Sequence, residues 1–284
     1  VMVEVVWSSR EKLGAKRLVL SRELTIEEIK EIRTKVSVEL ECFVHGAICI
    51  SYSGRCYISS FLSNRSANRG ECANSCRWNF TLMEEKRQGK YLPVYENDRG
   101  TYVLSSKDLC MIEHLDKLAD AGVDSFKIEG RVKGINYVAG VVKTYREAVD
   151  SLKNRPYMVN EKWHEELSMF SSRGYTTGMF LGTQPDSGYN HDEESIYRMS
   201  HRLVGVVKSV QNGKALVAVR NSIKIGDSIE FLTSGQENKT FKVTEIFDNK
   251  GHQINSARNE DIIQLPIQSS VQENDLIRSR ISNQ

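Results

Sequence analysis

Four cysteines lie close together in this 284-residue chain, and they constrain its fold more than any other feature. Cys49 and Cys56 are separated by six residues, and Cys72 and Cys76 are separated by three. Thiolates are soft ligands for zinc and for iron–sulfur clusters, and two closely spaced pairs let one loop surround a single inorganic centre. The spacing therefore predicts a metal or cluster site between residues 49 and 76.

Disulfide bonds are the competing interpretation of this spacing. They are typical of small secreted domains, whereas this chain, with 39% hydrophobic residues, is long enough to bury a sizeable core without them. The sequence does not open with a charged segment followed by an apolar one, and it has no run of about 18 apolar residues. We therefore expect free thiols, a cytoplasmic location and no membrane partner.

The residues alone leave the choice between zinc and an iron–sulfur cluster open. Structural zinc sites commonly pair cysteines roughly two to four residues apart, and the first pair here is more widely spaced. Gly46 precedes that pair and Gly54 lies within it, and glycine lets a backbone approach a cluster closely or take a positive φ. Neither centre is excluded by the spacing.

The first cysteine pair belongs to a longer motif. Residues 41–59 read ECFVHGAICISYSGRCYIS, which fits the pattern E-x-F-x2-G-(S/A)-(L/I/V/M)-C-x4-G-x-C-x-(L/I/V/M)-S throughout. On this motif the chain is identified as a member of the U-thirty-two, or collagenase-like, peptidase family. Four further segments resemble the branch of that family that hydroxylates tRNA. They are residues 68–78 (NRGECANSCRW), 106–109 (SKDL), 127–131 (KIEGR) and 173–176 (RGYT).

The resemblance implies an iron–sulfur enzyme. The better-understood members of the family are oxygen-independent hydroxylases, and the tRNA branch acts on the wobble uridine with prephenate as the required metabolite. We therefore expect a 4Fe-4S cluster, prephenate as co-substrate, tRNA as partner and 5-hydroxylation of the wobble uridine. The alternative function is that of a collagenase-like peptidase, although the sequence contains neither H-E-x-x-H nor G-x-S-x-G.

The resemblance also bears on the cluster ligands, of which four are needed. Five cysteines belong to the family landmarks, because Cys110 follows the SKDL segment. Since the chain keeps both members of its second pair, the favoured ligands are Cys49, Cys56, Cys72 and Cys76. Cys110 is the alternative fourth ligand. Cys42 alternates with Glu41 and Phe43 on a predicted strand, which favours a buried structural thiol.

The catalytic candidates are His45, Glu129 and Arg131, which follow predicted strands. An imidazole with an ordinary pKa of about 6.5 suits proton transfer. The position of His45 is equally compatible with a histidine packed in the core. Glu129 and Glu41 either orient substrate or form ion pairs. Prephenate is a dicarboxylate, and a guanidinium binds carboxylate through two hydrogen bonds, so Arg131 or Arg55 is expected to face it.

Basic and aromatic residues accompany the cysteine loop, although the net charge of the chain is only +2. Guanidinium groups contact phosphates and aromatic rings stack on bases, so this mixture is typical of RNA binding. The residues assigned to nucleic acid are Arg55, Arg69, Arg77 and Trp78. The alternative is a solvated surface that Glu71, Glu84 and Glu85 balance.

Helix and strand patterns alternate up to about residue 152. Strands are predicted at 18–20, 36–44 and 125–128, with a helix from the capping box Thr25–Glu28 and another at 109–121. Such alternation indicates parallel βα units and the α/β class. The resemblance implies a TIM-type barrel, of which three strands before residue 130 supply only the C-terminal part. We therefore expect a truncated chain that lacks the N-terminal half of the barrel and that is unstable or aggregation-prone if nothing else completes the barrel.

A β pattern begins at His201. Short strands at 203–207, 215–219, 228–232 and 240–244 predict a small all-β barrel, which resembles that of elongation factor Tu. We expect a partial (β/α) barrel at 1–152, a helical segment and linker at 153–200 and the β-barrel at 201–284.

Overall fold

The structure, a computed structural model, describes residues 12–49, 51–56, 58–77, 95–97, 100–102, 107–170, 172–182, 199–267 and 271–281. The chain forms two compact units. The first comprises Val1–Arg131, Ser151–Val159 and Ser172–Tyr197, and the second comprises Val132–Asp150, Asn160–Ser171 and Arg198–Gln284. Of the predicted helical segment and linker at 153–200, residues 171 and 183–198 lie outside the described residues.

The first unit is a mixed α/β structure. Its strands are β1 (Arg17–Val19), β2 (Glu39–Gly46), β3 (Tyr95–Asn97), β4 (Gly100–Tyr102), β5 (Asp108–Cys110), β6 (Ser125–Ile128) and β7 (Tyr175–Thr176). Its helices are α1 (Ile26–Arg33), α2 (Ile58–Ser63) and α3 (Leu115–Asp120). Three short 3-10 turns lie at Ala67–Arg69, Ser75–Arg77 and Ile112–His114. The strands β3 and β4 pair only with each other among the described strands.

β2 is the central strand of a five-stranded sheet. β1 and β6 pair with it in parallel on opposite edges, since Glu41 is in register with Val19 and with Ser125. These pairings agree with the predicted βα units. β5 instead runs antiparallel to the end of β2, and β7 runs parallel to β5. An all-parallel barrel therefore does not describe this sheet, and the TIM-type barrel remains a prediction.

The capping box at the start of α1 is confirmed. The Thr25 hydroxyl accepts a hydrogen bond from the backbone N–H of Glu28, and the Glu28 carboxylate accepts one from the N–H of Thr25. β2, predicted from residue 36, begins at Glu39 instead. The Arg33 guanidinium donates hydrogen bonds to the carbonyl groups of Val36 and Val38 (2.6 and 2.8 Å). These carbonyl groups therefore do not join the strand ladder.

The helix predicted at 109–121 is observed only as α3, after β5 and a 3-10 turn. The backbone N–H of Asp108 donates to the carbonyl of Gly174, and that of Met111 donates to the carbonyl of Val44 (both 2.9 Å). Leu109 is paired with Gly46 and Thr176 as part of β5, so the helix begins only after this strand and the turn that follows it. The prediction was wrong there because periodicity does not show which partner a backbone group finds.

The second unit combines two helices with β-strands. The helices are α4 (Ile135–Ser151) and α5 (Glu161–Ser168). The strands are β8 (His201–Gln211), β9 (Lys214–Val219), β10 (Ile223–Lys224), β11 (Ser228–Leu232), β12 (Lys239–Lys242), β13 (Ile246–Asp248), β14 (Gln253–Ile254), β15 (Ser256–Ala257), β16 (Ile262–Pro266) and β17 (Leu276–Arg280). All four predicted strands are present.

Eight of these strands form one sheet in the order β12-β11-β17-β8-β9-β16-β13-β14, and β10 pairs with β15. Alternate strand residues point inward and form an apolar core that includes Val207, Val217, Phe231, Ile263 and Ile277. Asn212 and Gly213 take positive φ values of 50° and 73°, as a tight turn between β8 and β9 requires. Within the described residues, no helix has the length and apolar character needed to span a membrane.

Candidate functional site

The ends of β2 and β6 lie against each other at the start of the cysteine loop. The backbone N–H of Glu129 donates to the carbonyl of His45 (2.8 Å). Gly46 has a φ of +107°, and a Cβ added there would lie 2.9 Å from the Cβ of Glu129 and closer still to its carbonyl oxygen. Only glycine fits this backbone conformation and close approach. This contact lets the chain turn from β2 into the loop.

Three of the predicted ligand thiols act electrostatically on the fourth, Cys49. Burial of the sulfur raises the pKa of the Cys49 thiol, and the charge of Cys76, followed by those of Cys72 and Cys56, raises it further. All six cysteines of the chain are free thiols. Residues up to 27 positions apart in sequence therefore act on one another electrostatically.

Two asparagines form hydrogen bonds to the cysteines of this loop. The Asn68 amide accepts a hydrogen bond from the N–H of Cys56 (3.1 Å) and donates one to its carbonyl group (3.2 Å). The backbone N–H of Asn74 donates to the sulfur of Cys72 (3.3 Å). The Cys72 thiol in turn donates to the side-chain oxygen of Asn74 (3.7 Å), so Asn74 contacts this sulfur through both its backbone and its side chain.

Arg22, which follows β1, is a site residue that the sequence reasoning missed. Its guanidinium lies 3.9 Å from the centre of the Phe43 ring, donates to the carbonyl of Ala47 (2.6 Å) and approaches the Glu129 carboxylate at 3.8 Å. Burial lowers the pKa of Arg22, whereas the charges of Cys49 and Glu129 raise it. The available signal was its position just after a parallel strand, at the same sheet edge as the other site residues.

Glu41 belongs to an ion-pair network rather than to an open site. Its carboxylate lies 3.1 Å from the ammonium of Lys127 and 3.0 Å from the guanidinium of Arg17, and it accepts a hydrogen bond from the Ser125 hydroxyl (2.9 Å). Burial raises the pKa of Glu41, but the hydrogen bonds from Ser125 and Lys127 hold it below its ordinary value overall. This geometry favours the ion-pair interpretation.

His45 is 1% exposed and packs against the ring of Tyr175, with ring centres 5.3 Å apart. It is in register with Cys110 on β5. Burial raises the pKa of Tyr175, and the charge of Cys110 adds to this effect. Cys110 therefore lies in the His45–Tyr175 neighbourhood, whereas Cys76 is the strongest thiol neighbour of Cys49. Burial also raises the pKa of Cys42 to about 12, as expected of a structural thiol.

Arg131 reaches the cysteine loop from the end of β6. Its guanidinium donates to the carbonyl of Gly70 (2.5 Å), and its backbone N–H donates to the Glu129 carboxylate (2.9 Å). Arg55 and Arg69 are exposed on the same loop.

Two of the four residues predicted to contact nucleic acid lie wholly or partly outside the described residues. Trp78 lies outside the described residues, and of Arg77 only the backbone, in a 3-10 turn, is described. Within the described ranges, no group of three or more His, Cys, Asp or Glu side chains is arranged to hold a single metal ion.

Two family models together match most of the chain. The model of Peptidase family U32 matches residues 6–190, and the model of the Peptidase family U32 C-terminal domain matches residues 199–278. The second match covers most of the strands of the second unit.

Similar curated proteins carry two kinds of name, tRNA hydroxylation protein and collagenase. The tRNA hydroxylation protein P1 of Bacillus subtilis is 35% identical over 93% of this chain and 64% of its own length. The tRNA hydroxylation protein P of Escherichia coli is 35% identical over 85% of this chain and 62% of its own length. A collagenase of Porphyromonas gingivalis is 38% identical over 58% of this chain and 42% of its own length. The chain thus spans less than two thirds of each of these relatives.

Proposed function

The chain belongs to Peptidase family U32, and from that premise we propose that it acts in the prephenate-dependent 5-hydroxylation of the wobble uridine of tRNA, with a 4Fe-4S cluster as cofactor. Two relatives that match 93% and 85% of it are named for tRNA hydroxylation. The observation that carries the proposal is the group of thiols that acts on Cys49. Four closely spaced thiols are a ligand set for an iron–sulfur centre, which carries out redox chemistry, whereas the sequence contains neither H-E-x-x-H nor G-x-S-x-G for peptide hydrolysis.

The residues present fit a 4Fe-4S cluster. Repulsion among thiolates contributes to the raised pKa of Cys49, and bound iron cations would relieve it. The Ser75 hydroxyl, between the second pair of cysteines in sequence, is buried and has no hydrogen-bond partner among the described residues, and cluster sulfur accepts such a bond. The ligands would be Cys49, Cys56, Cys72 and Cys76. When bound, the cluster supplies one-electron redox chemistry.

Arg131 is the residue best placed to bind prephenate. A guanidinium has five N–H donors, and the described side-chain hydrogen bond of Arg131, to Gly70, uses one of them. The residue is exposed, so its remaining donors are available to a carboxylate. Glu129 accepts from the Arg131 backbone N–H and also approaches Arg22, which orients both arginines around the loop.

The two remaining catalytic candidates have supporting roles in this proposal. His45 is buried against Tyr175, and we assign it to packing at the base of the site rather than to proton transfer with substrate. Glu129 keeps the charge of Arg22 balanced beside the thiols. Arg55 and Arg69, both exposed, would contact tRNA phosphates next to the loop.

The proposal is tested by mass spectrometry of tRNA nucleosides from a strain that lacks the gene. A plasmid copy of the intact gene should restore 5-hydroxyuridine-type nucleosides at the wobble position, and only in cells that make prephenate. A Cys49→Ala copy should not restore them, because the cluster would lose a ligand. A Cys42→Ala copy is the matched control and should restore them, since that thiol is buried within β2 rather than in the loop.

The collagenase-like alternative predicts the opposite pattern. Wobble nucleosides would be unaltered in the deletion strain, and purified cluster-free protein would cleave gelatin or collagen. That combined result would replace the hydroxylation proposal with proteolysis.

A further inference from the structure

A basic groove of about 940 Å³ lies in the C-terminal β domain, far along the chain from the cysteine loop. Its floor includes Ile223 and Ala257, which are in register on β10 and β15. Its charged lining residues are Arg202, Lys224, Arg258, Arg280, Asp227 and Asp261. Four cations therefore face two carboxylates.

The fold brings these cations together from four chain segments. Arg202 on β8 and Arg280 on β17 come from neighbouring antiparallel strands, where Arg280 is in register with His201. Lys224 lies on β10, and Arg258 directly follows β15, the partner of β10. The Arg202 guanidinium donates to the carbonyl of Ser222 (3.3 Å), which joins the β10–β15 pair to the main sheet. Two rows of positive charge thus border one groove.

The two carboxylates in the groove are held by backbone groups. Asp227 accepts a hydrogen bond from the backbone N–H of Lys224 (3.0 Å), and Asp261 accepts one from the backbone N–H of Arg258 (2.8 Å). Among the ion pairs of the described residues, none involves the four groove cations, whereas Arg278 in the same domain is paired twice. Among the described residues, the lining of the groove therefore has two more cations than carboxylates.

We propose that this groove binds the phosphodiester backbone of RNA, which makes it the docking site of the tRNA in the function proposed above and rests on that function. Cations spaced along an open groove match a row of phosphates, and its volume exceeds that of a single small anion. Among the described residues that line the groove, none is aromatic. The contact therefore positions the backbone without stacking on bases, and it is independent of nucleotide sequence.

The test is tRNA binding as a function of salt concentration. In the intact protein, the triple variant Lys224→Gln, Arg258→Gln and Arg280→Gln removes three exposed cations without touching the core. Each lost phosphate contact should reduce the slope of log Kd against log salt by about one. At low salt the Kd for unmodified tRNA transcript should rise roughly tenfold or more.

A charge-matched control separates the groove from general attraction. The triple variant Lys208→Gln, Lys239→Gln and Lys250→Gln removes the same charge from exposed positions of the domain outside the groove. It should leave the salt slope nearly unchanged. Equal losses in both variants, or no loss in the groove variant with retained thermal stability, would refute the proposal. Groove-dependent binding of polyglutamate in place of tRNA would also refute it and assign the groove to an acidic protein.

The readout distinguishes this proposal from the proposed function. Groove-dependent tRNA binding by a protein that leaves wobble nucleosides unmodified would support the groove and refute hydroxylation. If instead the groove variant modifies tRNA as well as wild type does at every tRNA concentration, the hydroxylation proposal is supported and the proposal of tRNA binding in the groove is refuted.

Discussion

The guanidinium of Arg173 donates to the carboxylate of Asp108 across 2.8 Å, and both side chains are only 2% exposed. The two residues come from the separate RGYT and SKDL segments, which the pairing of β5 with β7 brings together. A further bond runs from the backbone N–H of Asp108 to the carbonyl of Gly174 (2.9 Å). The ion pair therefore fixes the antiparallel strand that carries Cys110 beside His45.

Replacing Arg173 with Met should destabilise the protein strongly. The change leaves the Asp108 carboxylate buried without its cation, and such a loss costs about 3–5 kcal/mol. Chemical unfolding of the intact protein measures the difference. Arg155→Met is the control, because the Arg155–Asp120 pair is 47% and 61% exposed and should contribute at most about 1 kcal/mol. Similar losses in the two variants would contradict the structural role of the buried pair.

Gly46→Ala should perturb the site, because the new Cβ would collide with Glu129 and the backbone would keep a φ of +107°. Strain of this kind costs about 1–3 kcal/mol, and the collision adds to it. Gly54→Ala is the matched control, since Gly54 also has a positive φ (+73°) but no atom within 4 Å of the added Cβ. Thermal unfolding should show a clearly lower Tm for the first variant. An equal effect of both would show that the contact with Glu129 does not matter.

Cys76 and Cys110 can be distinguished as the fourth cluster ligand. In protein purified without oxygen, we expect an iron content and a sulfide content of about four atoms each per chain, as in a 4Fe-4S cluster. Cys76→Ala should lose this content and the brown colour, because Cys76 is the strongest thiol neighbour of Cys49. Cys110→Ala should keep both, since Cys110 lies beside Tyr175. The reverse result would assign the ligand to Cys110, and stoichiometric zinc in colourless protein would exclude the cluster.

Local patterns were sufficient to predict much of this architecture. Helix α1 was predicted from a capping box that involves neighbouring residues only, and the strands of the second unit were predicted from alternation and turns. The antiparallel β5 could not be predicted, because its orientation depends on β2 and β7, which are distant in sequence. Periodicity reports which face is buried but not which strand lies alongside.

The site shows the same division. The thiols were found from sequence because ligand chemistry requires particular residue types at short spacing. Arg22 was missed because its role comes from three contacts, with Phe43, Ala47 and Glu129, none of which is local in sequence. The groove cations were missed for the same reason.

The stability contributed by Glu41 should depend on pH in a defined direction. Its pKa is lowered in the folded protein, so its contribution is fully present above its ordinary pKa of about 4.5 and is lost as the pH falls through the lowered value. The difference in unfolding free energy between wild type and Glu41→Gln should therefore be largest near neutral pH and should disappear in acid. Glu31→Gln, at an exposed helix pair with Lys35, should give a smaller difference. A difference that grows on acidification would contradict the ion-pair assignment.

Arg22 should raise the reduction potential of the cluster that we propose for the loop. Its guanidinium is partly buried and its charge acts on Cys49, so it stabilises the reduced cluster, which carries one more negative charge than the oxidised form. In an anaerobic redox titration followed by electron paramagnetic resonance, Arg22→Met should have a lower midpoint potential than wild type. Arg22→Lys, which keeps the charge but loses the planar contact with Phe43, should have a midpoint potential between those of the other two proteins.

The Arg155→Met variant, changed at an exposed position, serves again as the control and should have the midpoint potential of wild type. If Arg22→Met loses iron, the comparison rests on Arg22→Lys, and an unchanged potential in an iron-replete Arg22 variant would refute this role.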